Sequence, residues 1–270
     1  MHDGSFAPTA TARFNRKRDA IVAAATELLN HRGVRGMTLA LVAERVGLIT
    51  TSVTYYFKKK DELAAACFMS GIERLMALVH EARREETASA RVRRLLELYI
   101  GLRAQITAGE APAISVFSDI RALAPEYLRT TGAAYGELFR GVRRLFVAAG
   151  GEALGRGQAT ARAQILLEQI HWLETWLPRY DAHDYARVCE RMHDILTAGL
   201  GAPGAAWSPS PIAIGPPAAS ATAADAFLLA ATRLINQRGY HGASVELISA
   251  SLNVTKGSFY HHHNAKDDVV

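Results

Sequence analysis

The sequence predicts an all-α chain, and three observations carry that prediction. Apolar residues recur at three- and four-residue spacing along nearly the whole length, whereas the two-residue alternation of half-buried strands is scarce. Proline and glycine fall at helix-length intervals. The third observation is a duplication: residues 19–64 recur without a gap at 225–270, each position pairing with the one 206 residues later. Of the 46 pairs 14 are identical, among them Leu28 with Leu234, Asn30 with Asn236, Arg32-Gly33 with Arg238-Gly239, and Lys60-Asp61 with Lys266-Asp267. One short helical module is used twice.

The elements follow in order. Ile21, Ala24, Ala25, Leu28 and Leu29 form the apolar stripe of a first helix that stops at Gly33, a residue suited to a left-handed cap. A second, short helix starts after Thr38, whose hydroxyl can cap it, and runs to Gly47. The third lies around Thr51 to Phe57. A long helix then runs from Asp61 to about Arg84 with Leu63, Cys67, Ile72, Leu75, Leu78 and Val79 on its apolar face. Five more helices are predicted at 88–107, 112–122, 125–149, 157–178 and 183–199, punctuated by Pro112, Pro125, Gly150-Gly151 and Pro178. Residues 199–221 are dense in Pro, Gly, Ala and Ser and read as a linker before the second copy. The domain reading is therefore 13–64, 65–199, a linker at 200–221, and 222–270.

Composition narrows the function. The hydrophobic fraction of 49% with 21% charged residues is that of a globular protein, and no uninterrupted apolar run approaches the roughly 20 residues of a membrane span. The N-terminal stretch lacks the apolar core of a secretory signal, which points to the cytoplasm. Two cysteines, Cys67 and Cys189, make neither a disulfide framework nor metal-ligand spacing. Net charge is +5, and residues 1–64 hold ten Lys/Arg against six Asp/Glu. That uneven placement suits a domain that meets nucleic acid.

Each copy reads as a helix-turn-helix, in which the second helix of the motif enters the major groove while the first crosses the backbone. The turn needs positive φ, supplied by Gly47 in the first copy and by Asn253 in the second. Thr50, Thr51 and Ser52 open the recognition helix of the first copy, and Thr255, Lys256, Gly257 and Ser258 open that of the second. Small hydroxyl residues there can approach phosphates and base edges. Tyr55, Tyr56 and Phe57 follow, then Lys58, Lys59 and Lys60, a lysine cluster beside helix N-terminal amides.

On those residues the first copy resembles the DNA-binding domain of TetR-type transcriptional repressors. That family's third-helix pattern runs small-small-Leu-Tyr-Tyr-His-Phe, then Lys and an acid. Here it is Thr51-Ser52-Val53-Thr54-Tyr55-Tyr56-Phe57, while Gly257-Ser258-Phe259-Tyr260-His261-His262-His263 keeps the tyrosine and the histidine but puts His263 where the core phenylalanine belongs. The resemblance implies an effector-binding and dimerising helical domain at 65–199, double-stranded operator DNA as partner, a small-molecule effector, and a homodimer formed through 157–199. Leu166, Leu167, Ile170, Leu173 and Leu177 give an apolar face that suits either dimer packing or the intrachain core. The DNA-contact set is Thr38, Thr50, Thr51, Ser52, Thr54, Tyr55, Tyr56, Lys58 and Lys60, with Ser244, Lys256, Ser258, Tyr260, His261, His262 and Lys266 in the second copy. Effector-pocket candidates are Phe117, Tyr127, Tyr135, Phe139, His171, Trp172 and Trp176, because such pockets are apolar with a few polar groups. Because Val270 matches Ala64, the second copy reads as truncated and the chain as a piece of a longer tandem regulator. That copy is then expected to be tethered and marginally folded.

The expected function is a transcriptional regulator, a repressor released by its effector. The alternatives are a ligand sensor or dimerisation scaffold that has lost DNA binding, and a helical metalloenzyme built on the His and Glu residues of 168–194. The His261-His262-His263 run points in successive directions around a helix and is not a chelate. Cys189 with His193 and His183, and His171 with Glu174, lack the remaining ligands of a zinc or carboxylate-bridged site. No cofactor, no resident metal and no catalytic constellation is expected. Arg13, Arg16, Lys17 and Arg18 form either an arm that reaches DNA or a solvated tail.

Overall fold

In a computed structural model of the chain, residues 10–147, 154–200, 210, 222–240 and 242–269 are described. Among them the only regular elements are helices: α1 Ala10–Gly36, α2 Leu39–Arg45, α3 Thr50–Tyr56, α4 Lys60–Ala82, α5 Ala88–Thr107, α6 Pro125–Leu145, α7 Arg156–Trp176, α8 Tyr185–Ala198, α9 Ala223–Arg238, α10 Val245–Ser251 and α11 Lys256–Tyr260. Short 3-10 turns occupy Phe117–Ala122, Leu177–Arg179, Ala182–Asp184 and Lys266–Val269. Most of the 200–221 stretch lies outside the described residues.

The chain folds as two compact units, neither of them one continuous stretch. The first comprises residues 1–68, 114–131 and 213–270, and the second 69–113 and 132–212. Both helix-turn-helix modules therefore belong to one unit, in place of a freely tethered second copy. In the second unit α5 packs on α8 and α7, and Leu95, Leu96, Leu166, Ile170, Leu173 and Val188 are buried there. By length and composition α4 is apolar enough to cross a membrane, but its Leu63, Cys67, Phe68, Ile72, Leu75 and Val79 are buried within the protein.

Module one closes as the sequence predicts. Gly33 stands at φ 65° and interrupts α1, one further turn reaches Gly36, and the Thr38 hydroxyl caps α2 by accepting from the Leu41 amide at 3.2 Å. The predicted 112–122 helix does not form. Residues 112–116 run without helix and only Phe117–Ala122 coils as a 3-10 turn. The reason is tertiary: the Asn30 amide donates to Ile114 O at 2.8 Å and accepts from the Val116 amide at 2.9 Å, which holds that strand of chain open against α1. A helix would need those backbone groups for itself.

Module two repeats the arrangement with a different core. Thr222 and Asp225 form a reciprocal capping box at the start of α9, and Ser244 caps α10. Relative to module one, Met37 becomes Ala243 and Phe57 becomes His263, while Ile21 becomes Phe227 and Val53 becomes Phe259. Phe227 and Phe259 are buried and meet edge to face with centroids 5.4 Å apart, and His263 packs 5.3 Å from Phe259. Volume lost at two positions is thus regained at two others, the kind of swap a core tolerates. Leu228 and Leu229 are exposed, although Val22, the counterpart of Leu228, is buried with the Cys67 thiol of α4 against its carbonyl.

Replacing Phe259 by Ala removes half of that aromatic pair, at a cost of about 3–5 kcal/mol. Hydrogen exchange over 223–260 is expected to approach unfolded rates while peptides from 20–57 keep their protection. Equal loss in both, or in neither, would show that the second core is not built this way.

Candidate nucleic-acid interface

The outward face of α3 collects most of the sequence-predicted residues of module one. Val53 turns inward and is fully buried, which leaves Thr50, Thr51 and Tyr55 exposed and Ser52, Thr54 and Tyr56 half-buried. Ile49 precedes α3 without a side-chain cap and is itself exposed. The Thr54 hydroxyl is turned back onto the Thr50 carbonyl at 2.9 Å. Thr38 lies exposed at the start of α2, its oxygen engaged as the cap.

Sequence reasoning missed the residue that joins α1 to this face. Phe14 packs 4.7 Å from the Tyr56 ring and 6.0 Å from Tyr55, and the two tyrosines meet edge to face at 5.2 Å. The available signal was spacing: Phe14 stands seven residues before buried Ile21, on the same helical face. Arg13, Arg16, Lys17 and Arg18 accordingly lie on the first turns of α1, in helix, and not on a loose arm; the Arg18 guanidinium sits 5.2 Å over the Phe57 ring.

The three lysines are not equivalent. Lys58 and Lys59 are exposed, the latter 3.6 Å from Glu126. The Lys60 ammonium is turned inward and donates to the Val34 and Arg35 carbonyls, each at 3.2 Å. Its counterpart Lys266 donates to Tyr240 O at 2.6 Å and lies 3.7 Å over the Tyr240 ring, and burial lowers its pKa. Both close the end of the first helix of their module.

In module two the Thr255 oxygen caps α11 by accepting from the Ser258 amide at 3.4 Å. Lys256 is ion-paired to Glu246, whose carboxyl that hydrogen-bonded lysine pulls down to about 2. Tyr260, His261 and His262 are exposed, and His262 lies 5.8 Å from Phe227. Ser244 is occupied as the α10 cap and Ser258 faces Thr255 at 3.2 Å. Arg233, Arg238, Lys256 and Lys266 are matched by Asp225, Glu246, Asp267 and Asp268, so the second copy is neutral. The matched residues 19–64 hold six Lys/Arg against five Asp/Glu, and the basic excess of the first module comes from Arg13, Arg16, Lys17 and Arg18 just before it.

The seven effector candidates are divided between the two units. Phe117, 6.2 Å from Phe68, and half-buried Tyr127 belong to the unit that holds the modules. In the other unit Tyr135 stacks on His171 at 6.2 Å; burial pushes the tyrosine up to about 12 and lowers the imidazole pKa. Phe139 is half-buried, Trp172 is exposed, and Trp176 meets Tyr180 edge-on at 5.9 Å. A groove of about 310 Å³, lined by Leu78, Arg94, Glu97, Leu98, Gly101, Leu102 and Gln105, contains none of the seven.

Glu174, His193 and Asp184 each engage a partner within the protein. Glu174 pairs with buried Arg103 at 3.5 Å beside Tyr99, whose hydroxyl burial pushes up to about 12. His193 is held by the Ser89 hydroxyl at 2.9 Å through Nε2 and by Arg93 at 3.0 Å through Nδ1. Asp181, His183 and Asp184 bring ligand atoms within 4.8 Å of one another, but Asp184 is engaged by Arg187 at 2.8 Å.

Comparison with known proteins agrees with this geometry. Residues 21–67 and 227–270 match the family model of bacterial regulatory proteins, tetR family. Similar solved structures include a tetR-family protein from Rhodococcus RHA1 at 19% identity, which covers 68% of this chain and 96% of its own with a TM-score of 0.55. A tetR-family regulator from Bordetella parapertussis 12822 aligns at 17% identity over 69% of this chain and 98% of its own, TM-score 0.55. AibR, solved in complex with isovaleryl coenzyme A and operator DNA, aligns at 17% identity over 66% and 97%, TM-score 0.54. Comparison with curated protein sequences finds no match. The chain carries the helix-turn-helix module of the tetR family of bacterial regulatory proteins twice, in tandem on one helical polypeptide.

Proposed function

We propose that the chain is a DNA-binding transcriptional repressor that leaves its operator when a small molecule binds the helical region. The observation that carries this reading is the α3 face: Thr50, Thr51 and Tyr55 stand exposed between the basic first turns of α1 and exposed Lys58 and Lys59. Hydroxyl and phenol groups suit base edges and phosphates, and the flanking cations suit the backbone. A relative of the same fold, AibR, is named as a complex with both an acyl coenzyme A and operator DNA, which supports a reader coupled to a ligand site. The setting is cytoplasmic.

Two such chains pair through α7 and α8. Ile165 and Trp172, one heptad apart, expose 53% and 56% of their surface, and Ile195 on α8 exposes 48%. Leu166, Leu167, Ile170, Leu173 and Leu177 are buried in the chain's own core, so the outward heptad face is what remains for a partner copy. Pairing sets the spacing of the α3 helices, which must match major grooves roughly 34–36 Å apart, and ligand binding would alter it.

The DNA reading is tested with a duplex selected from genomic fragments by the wild-type chain. Tyr55→Ala is expected to weaken binding by about 1–3 kcal/mol. Lys58→Ala is expected to make the slope of log affinity against log salt shallower by about 0.9, one phosphate contact. Unchanged affinity and slope in the double variant would reject the assignment. For pairing, Ile165→Glu with Trp172→Glu is expected to convert a dimer to monomer in sedimentation equilibrium; a dimer that survives the pair of charges places the interface elsewhere.

A further inference from the structure

We infer that the Phe117–Ala122 turn is a coupling peg that seats the chain's own second module against the first, through Asp119 and Arg121. The two residues work on matched points of the duplicated sequence. Asp119, buried, accepts the Val34 amide on Oδ2 at 2.6 Å, immediately after the positive-φ glycine at 33. The counterpart of that glycine is Gly239, also at positive φ (73°), and a Cβ there would collide with Oδ1 of the same aspartate, with Asp119 Cα only 3.6 Å away. One carboxylate therefore touches the turn after the first helix of both modules. Arg121 adds a directed bond: its Nη1 donates to the Asn236 carbonyl at 2.7 Å.

The bond to Asn236 has a specific physical value. Asn236 lies in the last turn of α9, where carbonyls have no partner within the helix, and a guanidinium suits both the orphan acceptor and the negative end of the helix. Asn30, identical in sequence to Asn236, binds the same segment by another route, with its side chain on Ile114 and Val116. The segment 114–122 is thus held from one side by α1 and from the other by α9. Lys266 feels both Asp119 and Arg35 of module one, which places the closing lysine of the second module at the same junction.

The functional consequence is that the modules move as one body. The peg leads after two residues into α6, so a displacement of the start of α6 is delivered to both modules together. The neutral second module then acts as a partner of the first and not as an independent reader. This does not depend on DNA binding, and its test uses no DNA.

Hydrogen exchange is compared across the full-length wild type, Arg121→Ala and Asp119→Ala. Arg121 is exposed and touches module two, so Arg121→Ala is expected to speed exchange about tenfold in peptides covering 234–243, with 20–36 and 88–107 unchanged. Asp119→Ala is expected to speed exchange in both 30–37 and 234–243. Unchanged 234–243 in the arginine variant overturns the peg, because the second module is then not seated there. Faster exchange in 20–36 as well for that variant also overturns it, because the bond then serves general stability and not docking. The expected exchange pattern in a chain that fails the separate operator-binding assay would reject only the DNA reading and leave the peg standing.

Discussion

The closure of the first helix in each module is the constraint on which the rest of the unit that holds both modules depends. A helix leaves its last carbonyls without partners, and the chain must turn sharply there to place α2 across α1. The duplicated residues solve both problems in the same way. A glycine at positive φ turns the chain at 33 and 239, and a lysine at the start of a later element, the long α4 for Lys60 and the short 3-10 turn for Lys266, donates to the carbonyls just beyond it. Nine of the 14 identities between the copies fall at residues 19–33, the first helix and its glycine, and Lys60-Asp61 adds two more, whereas the recognition helices share only Ser52 with Ser258. The retained residues build the frame, and the surface that meets a partner is where the copies diverge.

That division decides which features were legible in the sequence. Thr38 as a cap, Gly33 as a stop, and Gly47 and Asn253 at φ 66° and 58° in the turn are local chemistry, fixed by residues within about one helical turn. The 112–122 segment was not legible, because Asn30 holds it open from 84 residues away. Lys60 shows the same limit from the other side. Three consecutive lysines suggest a cationic patch, yet only the fold reveals that the third points inward to Val34 and Arg35 while the first two face solvent. Phe14 lay between the extremes: its spacing from Ile21 was visible, but the tyrosines it supports come from a distant turn.

The second module shows how far sequence can drift without loss of the frame. A histidine at the Phe57 position looked like a break in the core, yet Phe227 and Phe259 supply the missing volume and the imidazole packs against both. Packing is judged on total volume and shape, so a local rule can fail where the sum still holds. Electrostatics obey no such conservation: each charge acts where it stands. Module two has balanced its cations with nearby acids, most directly in the Lys256 to Glu246 pair, and Asn264 and Ala265 replace Lys58 and Lys59.

The two kinds of drift have different consequences for a polyanionic partner. An exposed ion pair adds little stability, so Glu246 is poorly explained by folding alone. Its effect on a phosphate is larger, because a lysine already facing a carboxylate releases fewer counterions and offers less attraction, and the unpaired face of the acid repels. Module one has a different layout, with the basic first turns of α1 locked beside α3 by Phe14. A DNA backbone approaching the shared unit would therefore be drawn to α3 and not to α11. The second copy keeps the shape of a reader while its charge favours a protein neighbour, and within this chain the neighbour within reach of its first helix is the Asp119 and Arg121 turn.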